Sequence, residues 1–306
     1  MTSLLTNAAA MTALQTLSAT NKNMETTQAR IATGLKVGSA ADNAAYWSIA
    51  TTMRSDNKAL STVKDALGLG AAKLDVAYTG LNSAIEVVDE IKTKLVAARE
   101  PGVDKSKIQS EIASLQKQLI SNSGAATFSG ENWLSVDSSA TGYSATKSIV
   151  ASFTRDSAGA VTVGTIDVDI TSTELFDAND QSGILDTTFT TTGGGAVTVS
   201  VSDLDITAAG IDNTDIDEMI AAVDGALSSM TTAASDLGAA KKRVDLQNSF
   251  VSNMMDAIGR GVVQLVDADM NQESTKLQAL QVQQQLGIQA LSIANQSSQN
   301  ILSLFR

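Results

Sequence analysis

The densest run of oxygen-bearing side chains is Asp177-Ala178-Asn179-Asp180-Gln181-Ser182-Gly183, which is similar to the opening of a calcium-binding loop. Such a loop closes with a bidentate Glu at its twelfth position. Here that position is Thr188, so the ligand set is incomplete and the segment reads as a solvated acidic turn. Asp167 and Asp169 lie two apart on an expected strand, hence on one face, where paired carboxylates could act as acid and base. No cleft-forming pattern surrounds them, and they too read as a solvated face. Gly68-Leu69-Gly70 and Gly193-Gly194-Gly195 fit neither GxxxxGK[ST] nor GxGxxG, so no phosphate site follows. The chain has no Cys and no His. That removes Ser-His-Asp and Cys-His nucleophiles, and the usual zinc, copper and haem ligand sets. Neither catalysis nor a cofactor nor a metal is expected.

Charge excludes another class. From Asp156 to Ala240 there are fifteen acidic residues and no Lys or Arg, whereas the rest of the 306 residues is close to neutral within a net charge of −12. A nucleic-acid partner would require concentrated positive charge, and none is present. No stretch approaches the roughly eighteen apolar residues of a membrane span, so no membrane insertion is expected. The opening Met1-Thr2-Ser3-Leu4-Leu5-Thr6-Asn7 lacks the basic and apolar regions of a cleaved signal peptide. The expectation is a cytoplasmic chain, or one exported without a removable leader.

What must position anything in this chain is helix. Every seventh residue from Met53 is apolar: Met53, Leu60, Leu67, Leu74, Leu81, Val88, Leu95. Ile49, Val63, Ala71, Tyr78, Ile85 and Ile91 fill companion positions. The spacing predicts one helix from about 42 to 99, about 85 Å long at about 1.5 Å per residue, stopped by Pro101-Gly102. Ile108, Ile112, Leu115 and Leu119 predict a second helix. In the last third, Ile216, Ile220, Val223, Leu227, Met230, Ala234, Leu237, Lys241, Val244, Asn248, Val251, Met255, Ile258, Val262 and Leu265 alternate four and three, with Lys241 and Asn248 breaking the stripe. Gly259-Arg260-Gly261 is the expected joint, because each interior Gly weakens a helix by about 1 kcal/mol against Ala.

Both ends carry poorer stripes. Leu17, Met24 and Ile31 lie seven apart, but their companions Leu14, Asn21, Gln28 and Leu35 are half polar. At the other end Leu277, Leu280, Gln284, Ile288, Leu291, Asn295, Ser298, Leu302 and Phe305 include three polar members. Polar seams suit a multi-stranded coiled coil, and these ends are expected to order only in an assembly. Between about 128 and 212 the period drops to two, in 161–163, 166–170 and 197–201, with the triple Gly as a loop or hairpin turn. The fold class is therefore mainly α with a β-rich insertion. The scarce aromatic pair Tyr46-Trp47 reads as ordinary packing where the long helix begins, and the Met residues as core filler.

Two terminal motifs are specific. Arg30-Ile31-Ala32-Thr33-Gly34-Leu35-Lys36-Val37 followed by Ser39-Ala40-Ala41-Asp42-Asn43-Ala44-Ala45, and the ending Asn295-Gln296-Ser297-Ser298-Gln299-Asn300-Ile301-Leu302-Ser303-Leu304-Phe305-Arg306, resemble the signatures of bacterial flagellins, of an alphaproteobacterial type. Leu237-Gly238-Ala239, Asp267-Ala268-Asp269-Met270 and Phe128-Ser129-Gly130 fit further landmarks of that family. The resemblance implies long antiparallel coiled-coil helices from both termini, in inner and outer layers, plus a small outward β domain. It divides the chain into 1–41 (inner-layer helix and linker), 42–134 (long helical layer), 135–214 (acidic outer domain), 215–258 (long helical layer) and 259–306 (linker and inner-layer helix).

It also implies the function: a subunit that polymerises into the motor-driven flagellar filament, found outside the cell after unfolded passage through the flagellar type III channel. The implied partners are further copies, sister flagellins, an export chaperone, the filament cap and hook-junction proteins. The assembly interface then falls on Leu14, Leu17, Met24, Ile31 and Leu35 at one end. At the other it falls on Leu277, Leu280, Ile288, Leu291, Ile301, Leu302, Leu304, Phe305 and Arg306. Packing of the long helices falls on Met53, Leu60, Leu67, Leu74, Leu81, Val88 and Leu95 with Val223, Met230, Leu237, Val244 and Val251. Many flagellins carry V-R-E-L-A-V-Q, read by the animal innate-immune flagellin receptor; this chain has Ile91-Lys92-Thr93-Lys94-Leu95-Val96-Ala97, and weak activation is expected. The alternatives are a hook–filament junction protein, or a coiled-coil effector or adhesin that does not self-assemble.

Overall fold

A computed structural model describes residues 7–303. The described residues form five helices, α1 (Ala8–Thr33), α2 (Ala44–Ala98), α3 (Lys105–Ala125), α4 (Asn213–Val266) and α5 (Met270–Ser303), with eight strands between α3 and α4 in chain order. The strands are β1 (Thr127–Phe128), β2 (Glu131–Asn132), β3 (Ser135–Val136), β4 (Thr146–Arg155), β5 (Val161–Asp169), β6 (Phe176–Asp177), β7 (Phe189–Thr190) and β8 (Thr198–Val199). The chain divides into a terminal unit, residues 1–58 with 255–306, and a central unit, residues 59–254.

In the central unit the apolar heptad of α2 is dry. Leu60, Leu67, Leu74, Leu81, Val88 and Leu95 are all buried, as are Val223, Met230, Leu237, Val244 and Val251 on α4. The companion rows keep the expected Val63 and Ile91, but at most other positions they sit one residue earlier than expected. On α2 they are Val63, Gly70, Ala77, Ala84, Ile91 and Ala98, not Ala71, Tyr78 or Ile85. On α4 they are Met219, Ala226, Ala233 and Ala240, not Ile220, Leu227, Ala234 or Lys241. Helices approach as closely as the side chains between them allow, so a row of Ala and Gly faces the partner while the bulkier neighbour lies at the rim. This releases Lys241, which is no flaw in the stripe but an ion-pair partner of Asp75 on α2. Lys92 pairs with Asp224, and Arg99 with Asp217 through two contacts at 2.6 and 2.8 Å, in the same antiparallel register.

Pro101 and Gly102 (φ 94°) do follow the end of α2, and Asp104 caps α3 through the Ser106 N–H at 3.1 Å. Ile108, Ile112 and Leu119 are buried on α3, together with Gln116, whose amide donates to the carbonyls of Val201 and Leu204 at 3.3 Å. That pairing helps explain a departure from expectation. The run 197–201 is strand only at 198–199, because its end is drawn into a 3₁₀ turn (Val201–Asp203) against α3.

The insertion docks through two notches in α2. A Cβ on Gly70 would stand 2.4 Å from Ile149 of β4, and one on Gly80 would stand 2.8 Å from Leu134. β4 and β5 form an antiparallel hairpin; β1–β2 and β7–β8 pair antiparallel, and β3–β6 parallel. Trp133, Leu134, Ile170, Leu175, Leu185, Leu204 and Ile206 form its interior. Gly193-Gly194-Gly195 lies between β7 and β8, where the amides of Gly194 and Gly195 meet the carboxylates of Asp212 and Asp215 at 3.1 Å. A Cβ at Gly193 would stand 2.5 Å from Asp215, so close backbone approach explains glycine there.

The joint in the terminal unit also lies elsewhere than expected. α4 runs unbroken through Gly259-Arg260-Gly261 and ends at Val266. Gly261 is a packing notch: a Cβ there would stand 2.9 Å from the Met53 methyl. The chain turns instead at Asp267–Asp269, where Leu35 bridges to Asp267, and the amides of Lys36 and Val37 donate to the Val266 carbonyl. Val37, Ala50, Val262 and Val266 form a small core there, flanked by Leu35, Met53 and Ile258.

Candidate assembly surface

α1 begins at Asn7, whose side chain accepts the Ala10 N–H at 3.0 Å, and ends at Gly34 in the left-handed region. Its threonines keep helical geometry by returning their hydroxyls one turn: Thr12, Thr16, Thr20, Thr26 and Thr33 each donate to the carbonyl four residues before. Asp269 starts α5 by accepting the Asn271 N–H at 2.9 Å.

The two helices pack antiparallel. Asn7 donates to the Ala294 carbonyl (3.0 Å), Gln284 to the Asn21 side chain (2.9 Å), and Arg30 to Glu273 (3.2 Å). The seam on α1 is Leu17, Thr20, Met24, Thr27 and Ile31; on α5 it is Glu273, Leu277, Leu280, Gln284, Gly287, Leu291 and Ala294. Both rows alternate three and four. Thr20 and Thr27 are buried where the sequence reading placed Asn21 and Gln28, and Gly287 takes the place given to Ile288, its Cβ position 3.3 Å from Leu17. The signal was the uninterrupted three-four spacing, overlooked because Thr and Gly are not apolar.

Of the residues expected at the interface, Leu17, Met24, Ile31, Leu35, Leu277 and Leu291 are half-buried and Leu280 is buried. Leu14 and Ile288 are 58% and 55% exposed and take no part in the seam. Ile301 and Leu302 belong to α5, and Leu304, Phe305 and Arg306 lie outside the described residues. The seam is also imperfect. Among the described residues, the Thr27 hydroxyl and Glu273 Oε2 are buried and have no hydrogen-bond partner.

Beyond the seam, apolar side chains stand uncovered: Met11 with Leu14 on α1, and Val282, Leu286 and Ile293 on α5. Tyr46 and Trp47 are exposed as well, rather than packed as expected, with Ile49 beside them. Uncovered stripes of this extent on a helical hairpin suit association with other chains.

The carboxylates considered for calcium binding and for acid–base work hold loops. Asp177 accepts the Ser138 and Asn179 amides at 3.0 Å; burial opposes its charge, but these bonds outweigh burial and keep it well below the usual carboxylate range. Asp167 accepts the Ser148 hydroxyl, and Asp169 the Thr171 amide and hydroxyl. Glu174 is buried and pushed up chiefly by burial, with the Tyr143 hydroxyl donating to it at 2.6 Å.

Such a molecule is a self-associating structural subunit. Residues 4–139 match the bacterial flagellin N-terminal helical region, and residues 220–305 the bacterial flagellin C-terminal helical region. The chain is 54% identical over 322 residues to Flagellin C of Rhizobium meliloti strain 1021, with 100% of both chains covered. Flagellin A of that strain is 47% identical, and a Brucella melitensis flagellin 49%, again with 100% of each chain covered. The chain belongs to the bacterial flagellins, of the alphaproteobacterial type. It is a structural subunit of the flagellar filament, outside the cell, and not an enzyme.

Proposed function

We propose that the terminal unit is the polymerising face of this flagellin. Residues 1–41 and 259–306 form the inner helical layer of the filament, residues 42–134 and 215–258 the layer around it, and residues 135–214 the outside. The observation that carries this is the pair of uncovered apolar stripes, Met11 with Leu14 and Val282 with Leu286 and Ile293, on helices whose mutual seam is one-third polar. Contacts of this kind between different patches of successive copies do not close, and so build a helical polymer. The residues named from sequence act at two levels: Leu17, Met24, Ile31, Leu277, Leu280 and Leu291 hold the hairpin, while Leu14 and Ile288 meet neighbours.

The subunit leaves the cell unfolded through the flagellar type III channel, with an export chaperone, the filament cap, hook-junction proteins and sister flagellins as partners. A chain with one proline and no cysteine threads and refolds without slow isomerisation at many sites or thiol chemistry, which supports that route. Lys94, held by Glu111 at 2.6 Å, stands where the innate receptor's usual motif has Leu, and supports weak receptor activation; strong reporter activation by the pure protein would contradict it.

The test is seeded polymerisation viewed by electron microscopy. Wild-type monomer should extend sheared filament seeds, and Leu286→Glu/Ile293→Glu should not, while keeping the monomer's circular dichroism and unfolding midpoint. Normal filaments from the double variant would refute the assignment.

A further inference from the structure

The central unit carries a projection and a recess on opposite flanks. Leu246 and Phe250 of α4 are large apolar side chains one helical turn apart, 60% and 54% exposed. Leu246 lies two residues after Val244 of the buried row, and so points about 200° away from the α2–α4 seam. On α2, Val76 and Ser83 lie two residues after the buried Leu74 and Leu81, and by the same geometry point away from α4. There they line a shallow, mainly apolar groove of about 420 Å³ with Thr79, Gly80, Asn122 and Ala125. The Asn122 amide donates to the Ser83 hydroxyl at 3.2 Å and joins α3 to α2 along it.

Each flank adds a charge. Arg243 lies three residues before Leu246, and Glu86 three after Ser83. Both are exposed, and among the described residues neither has an ion pair or a side-chain hydrogen bond. The ion pairs Lys241–Asp75, Lys92–Asp224 and Arg99–Asp217 fix α2 and α4 as antiparallel. The series Phe250, Leu246, Arg243 and the series Thr79, Ser83, Glu86 therefore run the same way along the axis, each spaced four and then three. We infer that copies lock side by side in the filament, Phe250 and Leu246 of one seated in the α2–α3 groove of the next, with Arg243 paired to that copy's Glu86. The same register puts Phe250 level with position 66 of its own α2, so the neighbour is displaced by about 13 residues, or about 20 Å. A contact between different flanks with an axial step does not close, and so propagates as a helix. The apolar pair supplies the buried area and the charges set the register. The contact rests on the filament assignment above and names what its outer helical layer does.

The chain's lack of cysteine gives a clean test. E86C/R243C chain is grown on filament seeds and treated with a short bis-maleimide. The two positions lie on opposite flanks of one chain, so each link joins two copies. The expected result is a ladder of covalent multimers from filaments, and single chains from monomer at the same concentration. Separately, Arg243→Glu and Glu86→Arg should each slow elongation about fivefold, and the chain carrying both should recover the wild-type rate, with the circular dichroism of each monomer unchanged. Filaments that give no ladder, or a double exchange no faster than the single ones, overturn the contact. Should the cysteine pair itself block growth, the charge exchange decides alone. If wild-type chain forms no filaments on seeds, the assembly assignment falls, and this contact with it.

Discussion

The central and terminal seams of this flagellin share one period and differ in what fills it. Between α2 and α4 the heptad row is Leu and Val with one Met, its companions are mostly Ala and Gly, and the rim carries ion pairs such as Arg99–Asp217 and Lys241–Asp75. Between α1 and α5 the companions are Thr20, Thr27, Gln284 and Glu273, most of the apolar members are only half-buried, and two buried polar atoms lack partners among the described residues. A dry seam stabilises in proportion to the apolar area it removes from water, whereas a polar seam gains little from burial and loses where a polar atom stays unpaired. The difference fits the proposed division of work, in which the central unit folds within one chain and neighbouring copies complete the terminal hairpin.

The largest expected effect lies in the dry seam. Leu74→Ala, at a fully buried position, should destabilise the monomer by about 2–5 kcal/mol in urea or thermal unfolding. A loss below about 1 kcal/mol would mean the seam is looser than its burial indicates. Gly70→Ala should cost about 1–3 kcal/mol by pushing on Ile149, and Ile149→Ala should relieve part of it; additive losses would show that the notch is not shared.

The acid limb of stability tests the outer domain. The Ser138 and Asn179 amides hold the folded Asp177 below its ordinary value, so its contribution is present above about pH 4 and is lost as pH falls through the lower folded value. Glu174 is raised by burial and works the other way, its contribution lost as pH rises. Asp177→Asn should therefore flatten the fall in unfolding temperature between pH 5 and pH 2 by an amount worth about 1–3 kcal/mol; an unchanged slope would remove Asp177 from the account. The smallest effect belongs to the terminal seam. Thr27→Val replaces a buried hydroxyl that has no partner among the described residues, and should be neutral or stabilise the hairpin by about 1 kcal/mol, read as slower amide exchange in α1. A marked loss would show that the hydroxyl is used.

Much of this was legible in the residues. The row Leu60 to Leu95, the stop at Pro101-Gly102 and the acidic insertion all followed from period and composition. What escaped were small and polar residues at contact positions. Ala77, Ala84 and Ala226 carry weaker apolar signals than the larger Tyr78, Ile85 and Leu227 beside them, yet close helix approach selects them. Thr27 and Gly287 were invisible for the same reason. Gly261 was read as a joint because an isolated Gly weakens a helix, whereas here the Met53 methyl occupies the space it leaves. The register shift that leaves Ala151 of β4 unpaired is likewise announced by no periodicity.

Hydrogen exchange measured residue by residue on monomer and on filament tests the division of work most directly. Amides of 60–95 and 219–251 should be protected in both states, while those of 8–33 and 270–297 should exchange within seconds to minutes in the monomer and become protected by two or more orders of magnitude in the filament, the scale of a few kcal/mol of local opening. Equal protection of α1 and α5 in the free monomer would contradict it, for the terminal hairpin would then be complete without its neighbours.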